Sequence, residues 1–302
     1  MNFTLHQLQV FLKVSETKSI TKAAEELFLT QPAVSIQLKN FQDQFDIPLT
    51  EVVGRQLYVT DFGQEIAFAA QAIIDQVNAI NYKLAAYKGQ LSGRLKIASV
   101  STGKYVIPFF LSGFLRGNPQ IELKLDVTNK AQVVRSLVDN EIDFALVSIL
   151  PDKVPVHAVP LMENRLVLVA GRDFQPPLGV SGIEIFQYIT LIYRESGSGT
   201  RLAMEGFLND HKVPIKKMLV LTSNEAVKQA VMAGLGCSIM PVIGIKNELK
   251  QGDLKVIEVK GLPICTYWNL IYLKSKRLSP VAEAFLSYLD REKNTVIEQN
   301  FQ

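Results

Sequence analysis

The chain of 302 residues has only two cysteines, three histidines and one tryptophan. Two thiols cannot staple a small disulfide scaffold. Cys237 and Cys265 each stand among apolar or small neighbours, which reads as two buried core thiols, with a redox-sensing pair as the alternative. His6, His157 and His211 are scattered without metal-ligand spacing, so no metal is expected. No apolar run is long enough to cross a bilayer, and the N-terminus lacks the basic-then-apolar pattern of a signal peptide. The expectation is a cytoplasmic protein with no membrane partner. Charge of one sign is also scarce: 32 basic against 29 acidic side chains, net +3, which decides nothing. What is present is ample apolar content, 48%, in a chain long enough for two or three domains.

The most informative stretch runs from Ser19 to Phe45. Ser19 is placed to cap a helix in which Ile20, Ala23, Ala24 and Leu27 recur at helical spacing. Thr30 is placed to cap a second, with Pro32 in its opening turn, where a missing N–H costs little. Val34, Leu38, Phe41 and Phe45 give that helix one apolar stripe, and the small Ala23–Ala24 pair permits a close, steep crossing. Gln31, Ser35, Lys39 and Gln42 occupy the other face. Short amide and hydroxyl groups near a helix N-terminus suit the reading of base edges in a major groove; an ordinary helical hairpin with a polar outer face is the plainer alternative. Leu5, Leu8, Phe11, Leu12 and Ser15 mark a preceding helix, and residues 46–60 read as a short two-stranded wing with Arg55 near its tip as a phosphate contact.

Ala-Ala-x-x-Leu at 23–27, Thr-Gln-Pro-Ala-Val-Ser at 30–35 and Val-Thr-Asp-Phe-Gly at 59–63 resemble the N-terminal domain of LysR-type transcriptional regulators. The resemblance covers essentially the whole chain. It implies a sequence-specific regulator, not an enzyme, with double-stranded DNA, a small effector and further copies of itself as partners. The DNA contacts it points to are Thr30, Gln31, Pro32, Ser35, Lys39 and Arg55. Two departures remove charge or aromatic packing. Leu49-Thr50-Glu51-Val52 stands where the family usually has Leu-Phe-x-Arg, and Ile36 stands where an arginine tends to follow the serine. Ile36 either meets a thymine methyl or is exposed without a role. Residues 1–60 carry five basic and six acidic side chains, so one copy should bind DNA weakly.

From Asp61 to about Lys88 no proline interrupts, and Thr60 is placed as a cap. Ile66, Ala70, Ile73, Val77, Ile80, Leu84 and Tyr87 advance by fours and threes, an a/d seam over about three heptads. The seam needs a cover: a second copy, giving a homodimer that pairs two half-sites, or the chain's own later domain. Domains are therefore expected at 1–60, 61–90 and 91–302.

Beyond Leu95 β-rich and helical segments alternate. The order predicts a parallel sheet and two α/β lobes, about 91–162 with 267–302 and about 163–266, joined by two crossings. That is the architecture of type 2 periplasmic binding proteins, here preceded by an all-α winged helix-turn-helix and a long linker helix. Ligands in such sheets lie beyond strand ends, at helix N-termini. Three loops qualify: Ser99-Val100-Ser101-Thr102 with Lys104, Thr128-Asn129, and the glycine-rich turn Arg194–Arg201, which lacks a nucleotide P-loop's Gly-Lys-Ser/Thr ending. Each is either a simple helix cap or part of a site for a small anionic metabolite. Ser-Thr-Gly-Lys-Tyr at 101–105 and Arg-Glu-Ser-Gly-Ser-Gly-Thr-Arg at 194–201 resemble the family branch that regulates carbon fixation and sulfur assimilation. Effector contacts are expected at Ser101, Thr102, Asn129, Arg194, Ser198 and Thr200, with Asn224 capping its helix. Competing readings are an effector-independent architectural DNA-binding protein and, with no catalytic set in those loops, an enzyme using the cleft. Homotetramers are implied by resemblance alone.

Overall fold

The computed structural model describes residues 2–54, 56–87, 91–180, 182–214 and 218–301, with the backbone alone for 78, 79 and 81–87. Arg55 and the side chain of Leu84 lie outside the described residues. The chain divides into two compact units, Met1–Gln90 and Leu91–Gln302.

The first unit contains helices α1 (Leu5–Thr17), α2 (Ile20–Leu27) and α3 (Gln31–Gln42). Thr4 opens α1 with a reciprocal capping box to Gln7, Ser19 caps α2 and Thr30 caps α3. Lys18 and Phe28, both at positive φ, stop the first two helices. Leu8, Val10, Phe11, Val14, Ala23, Ala24, Val34, Leu38 and Phe41 form the core. The expected first-helix face is shifted, for Leu5 is 45% exposed while Val10 and Val14 are fully buried. Phe45 lies past the end of α3, yet its ring still packs edge-on against Phe41 at 5.2 Å. The wing is an antiparallel hairpin of β1 (Thr50–Val53) and β2 (Gln56–Val59), turned at Gly54.

Helix α4 (Asp61–Tyr87) follows directly. The Thr60 hydroxyl accepts the Gly63 N–H at 2.9 Å and donates to the Pro48 carbonyl at 2.7 Å, tying the start of the helix to the wing. Gly63 is needed there, because a Cβ would lie 2.0 Å from the Leu49 carbonyl oxygen. Gly63→Ala should destabilise the first unit by about 1–3 kcal/mol; unchanged thermal unfolding of residues 1–90 would contradict this packing. Two expected seam residues turn inward. Ala70 is buried and Ile66 half-buried, both against this unit's own core alongside Phe62, Ala67 and Ile74. Further along, Val77 is half-buried while Ile73 and Ile80 are 39% and 67% exposed. A seven-residue apolar repeat records that a stripe is covered, not by what; its first two turns are covered locally.

The second unit begins with β3 (Gly93–Val100), α5 (Ile107–Gly117), β4 (Ile121–Thr128), α6 (Lys130–Val138) and β5 (Phe144–Val147). β3 pairs in parallel with both β4 and β5. The two strand segments expected near 156–161 and 165–170 are one strand, β6 (Val156–Gly171). Then come β7 (Leu191–Arg194), α7 (Gly199–Asp210), β8 (Met218–Leu221), α8 (Asn224–Met232), β9 (Ser238–Pro241), α9 (Lys246–Gln251), β10 (Leu254–Ile257), β11 (Ile264–Leu273) and α10 (Pro280–Phe301).

The sheet is mixed rather than parallel. Its order is β10-β6-β11-β5-β3-β4, with β9 also on β6, and the β6 pairs with β9, β10 and β11 are antiparallel. β7 and β8 form a separate parallel pair. One lobe's core lies between β3, β5, α5 and α10; the other lobe packs on both faces of the β6 end, around Phe186 and Tyr193 on one side and Val227 and Val231 on the other. β6 and β11 pass side by side from one core to the other, so the two crossings form one two-stranded ribbon. Asn164 donates to the Thr266 hydroxyl at 3.0 Å within it. Alternation along β11 buries Trp268 but turns Cys265 outward, correcting its assignment to the core. Cys237 is buried, and burial pushes its thiol up to about 12, so it carries no thiolate at neutral pH.

Candidate functional site

Two surfaces carry the residues expected to be functional. The first is the outer face of α3. Gln31, Pro32 and Lys39 are exposed and Ser35 is half-buried. Thr30 accepts the Ala33 N–H, so its hydroxyl caps the helix while keeping one proton to donate. Gln42 is half-buried, and its Oε1 accepts the Thr50 hydroxyl at 2.6 Å, bracing α3 against the wing. Lys13 is held by Glu16 at 2.8 Å and Glu26 at 2.9 Å, bonds that raise its pKa and tie α1 to α2. Among the described residues of this unit, Lys18, Lys22 and Lys39 stand outside any ion pair. The cationic surface is therefore even sparser than the count of basic residues implies.

The second surface lies between the lobes. Val100, Ser101, Thr102, Asn129, Lys130, Ser148, Arg194, Ser198, Gly199 and Thr200 line one recess. All six residues expected from the three loops meet there, although they span a hundred positions in sequence. The fold makes this meeting inevitable: the loops follow β3, β4 and β7 at their carboxyl ends and lead into helices. Asn129 caps α6 by accepting the Gln132 N–H at 3.0 Å, and Ser198 caps α7. Two helix N-termini, each with a partial positive charge, thus open on one space.

Arg194 is the centre of the electrostatics. It is only 4% exposed, and Glu195 grips it with two oxygens, Oε2 on Nε at 2.8 Å and Oε1 on Nη2 at 2.9 Å. Nη2 also donates to the Ser101 hydroxyl on the other lobe at 2.9 Å. Nη1 is buried without a partner. A guanidinium so held presents unspent donors in a fixed direction. Arg201 donates to the Arg194 carbonyl at 3.2 Å and pairs with Glu205, fixing the turn from behind.

A second bond between the lobes runs from the Ala131 N–H to the Gly197 carbonyl at 3.1 Å. Gly197 has φ +85°, and a Cβ there would lie 2.9 Å from the Ala131 Cβ, so only glycine admits this approach. With the lobes drawn together, the recess encloses about 10 Å³, room for roughly one water.

Two lining residues were not anticipated. Lys130 opens α6 and donates to the Leu150 carbonyl at 3.1 Å; burial pushes its ammonium below the ordinary lysine value, against the opposing pull of Asp152. Ser148 follows β5, and the strand-end rule applied to that strand would have found it. Asn224 is corrected as well. Ser223, not Asn224, caps α8, accepting the Ala226 N–H at 3.0 Å, while Asn224 is buried with Nδ2 unpartnered. Among the described residues no cluster of potential metal ligands occurs, and no helix is long and apolar enough to cross a membrane.

Comparison with known proteins places the chain in a family. Residues 5–64 match the bacterial regulatory helix-turn-helix protein family of LysR type, and residues 88–293 match the LysR substrate binding domain. The HTH-type transcriptional activator CmpR of a Synechocystis strain is 39% identical over 290 residues, 95% of each chain. The regulatory domain of CcmR from Synechocystis PCC6803, solved in complex with 2-PG, is 32% identical with a TM-score of 0.62, covering 70% of this chain and 99% of that one. CbnR solved on its target DNA shares the fold across 96% of this chain and 99% of its own, at 20% identity and a TM-score of 0.68. A helix-turn-helix in front of a two-lobed ligand-binding unit, matched along both parts to named regulators, shows that the chain belongs to the LysR family of transcriptional regulators.

Proposed function

We propose that the effector is a small anionic metabolite, held in the recess between the lobes by Ser101, Thr102, Asn129, Lys130, Ser148, Arg194, Ser198 and Thr200. One observation carries this reading: a buried arginine whose Nη1 has no partner lines a space that two helix N-termini also face. Every uncommitted charge there is positive, since the Glu195 carboxylate is taken up by Arg194. A bound anion would satisfy the orphaned donor, whose desolvation is otherwise uncompensated. The CcmR domain, solved with the anionic metabolite 2-PG, supports the ligand class.

The space of about 10 Å³ is too small for such a molecule, so the lobes must part along the β6–β11 ribbon for it to enter. Regulation requires that the effector bind the parted and drawn-together arrangements unequally. On the DNA side, Thr30, Gln31, Pro32, Ser35 and Lys39 form the described contact surface, and Arg55 completes the expected set. Two copies, joined along the exposed Ile73–Ile80 face of α4, present two recognition helices to paired half-sites in the cytoplasm. Pairing of dimers into tetramers extends the same reading. Residues 1–60, 61–90 and 91–302 then serve as reader, connector and sensor.

Calorimetric titration of the full chain with a panel of phosphorylated and carboxylated metabolites, 2-PG among them, tests the anionic effector. Saturable binding of at least one member is expected. Failure across the panel would favour a DNA-binding protein that works without an effector.

A further inference from the structure

Ile36 occupies the middle of the outward face of α3. It lies two residues from both Val34 and Leu38, which are 0% and 4% exposed, and a step of two turns a side chain to the opposite side of a helix. Its neighbours one turn away, Pro32 and Asn40, are exposed, as is Lys39. Ile36 itself is 58% exposed. Ser35 is half-buried on the shoulder of this face, and Gln42 is occupied by Thr50. The middle of this outward face is therefore a branched hydrocarbon flanked by polar groups. An isoleucine there adds nothing to the core and lowers helix propensity slightly.

We infer that Ile36 determines specificity by packing against the C5-methyl group of a thymine in each half-site. The inference rests on the DNA-binding role of this domain and adds what its central residue reads. The major groove offers four hydrogen-bonding patterns but only one apolar group, the thymine methyl. A side chain with no donor or acceptor discriminates only through that group. The sparse cations of the unit make such a contact weigh more, because phosphate attraction supplies less of the total affinity.

The test uses the full-length protein and duplexes enriched from a random pool. In an enriched duplex each thymidine is replaced singly by deoxyuridine, which deletes the methyl and leaves every hydrogen bond in place. One position per half-site should lose roughly fourfold in affinity, the effect of one methyl group no longer withdrawn from water. Ile36→Ala should bind the thymine and uracil duplexes equally, and Ile36→Val should retain part of the difference. Because the uracil duplexes need no protein variant, misfolding cannot imitate the result. If the sequence is enriched but no thymine methyl matters, or if Ile36→Ala still senses it, the inference is overturned while the regulator reading stands. If no sequence is enriched, base reading by α3 fails and the inference fails with it.

Discussion

Ile80→Lys is expected to split the dimer and to lower operator affinity by roughly a hundredfold or more, without unfolding the chain. Residue 80 is 67% exposed, so a lysine there disturbs no core. In an apolar seam between two copies, a lysine from each would place an ammonium group without a counter-charge among hydrocarbon. Losing the seam removes the tether that makes the second half-site contact intramolecular, and tethering of this kind is worth about 10² to 10⁴ in affinity. With so few unpaired cations among the described residues of the first unit, each reader alone has little phosphate attraction to fall back on. Sedimentation equilibrium beside an operator titration checks both halves of the prediction. An intact dimer would show that Ile73, Val77 and Ile80 are not the joining face.

Residue 80 also marks how far α4 is legible in the sequence. Its seven-residue repeat was legible, as was its cap at Thr60. The partner was not. Ile66 and Ala70 carry the same repeat as Ile80 but pack into the chain's own helical core, because a repeat of threes and fours reports apolarity alone. The helix-turn-helix was readable nearly to the residue, since Ser19, Thr30 and Pro32 mark helix starts by local chemistry that needs no tertiary partner. The recess was readable for the same reason. Asn129 and Ser198 are caps that follow strand ends, one in each lobe, and both line the recess. Long-range pairing was the blind spot. Nothing local distinguishes a parallel from an antiparallel partner, so β6 read as two strands and the mixed sheet as a parallel one. Cys265 was misplaced on the same account, since which way a strand residue faces depends on its pairing, whereas Asn224 was misplaced by one position because Ser223 beside it is an equally good cap by local chemistry.

Arg194→Gln is the second large effect. The substitution removes the donors at Nη1 and the positive charge, and it leaves the Glu195 carboxylate behind Arg194 without its partner. A hydrogen bond to a charged group contributes about 1.5–3 kcal/mol, so anion affinity should fall by roughly ten- to a hundredfold, and further if the bared Glu195 repels the ligand. Thr200→Ala removes one neutral hydroxyl and should cost clearly less. Arg194→Lys keeps the charge but not the planar fork, and an intermediate loss is expected. The first unit has its own core, so intrinsic binding by α3 should persist in each of these variants.

On the proposed reading, a metabolite held at Arg194 governs how the α3 pair engages DNA. It is tested most directly by titrating operator DNA with the full-length protein, with and without 2-PG and the other anions of the panel, for wild type and Arg194→Gln side by side. At least one anion should change the affinity or footprint of the wild type, and Arg194→Gln should bind the operator but no longer answer to that anion. Wild-type binding that ignores every anion, or a variant that responds just as the wild type does, would contradict it.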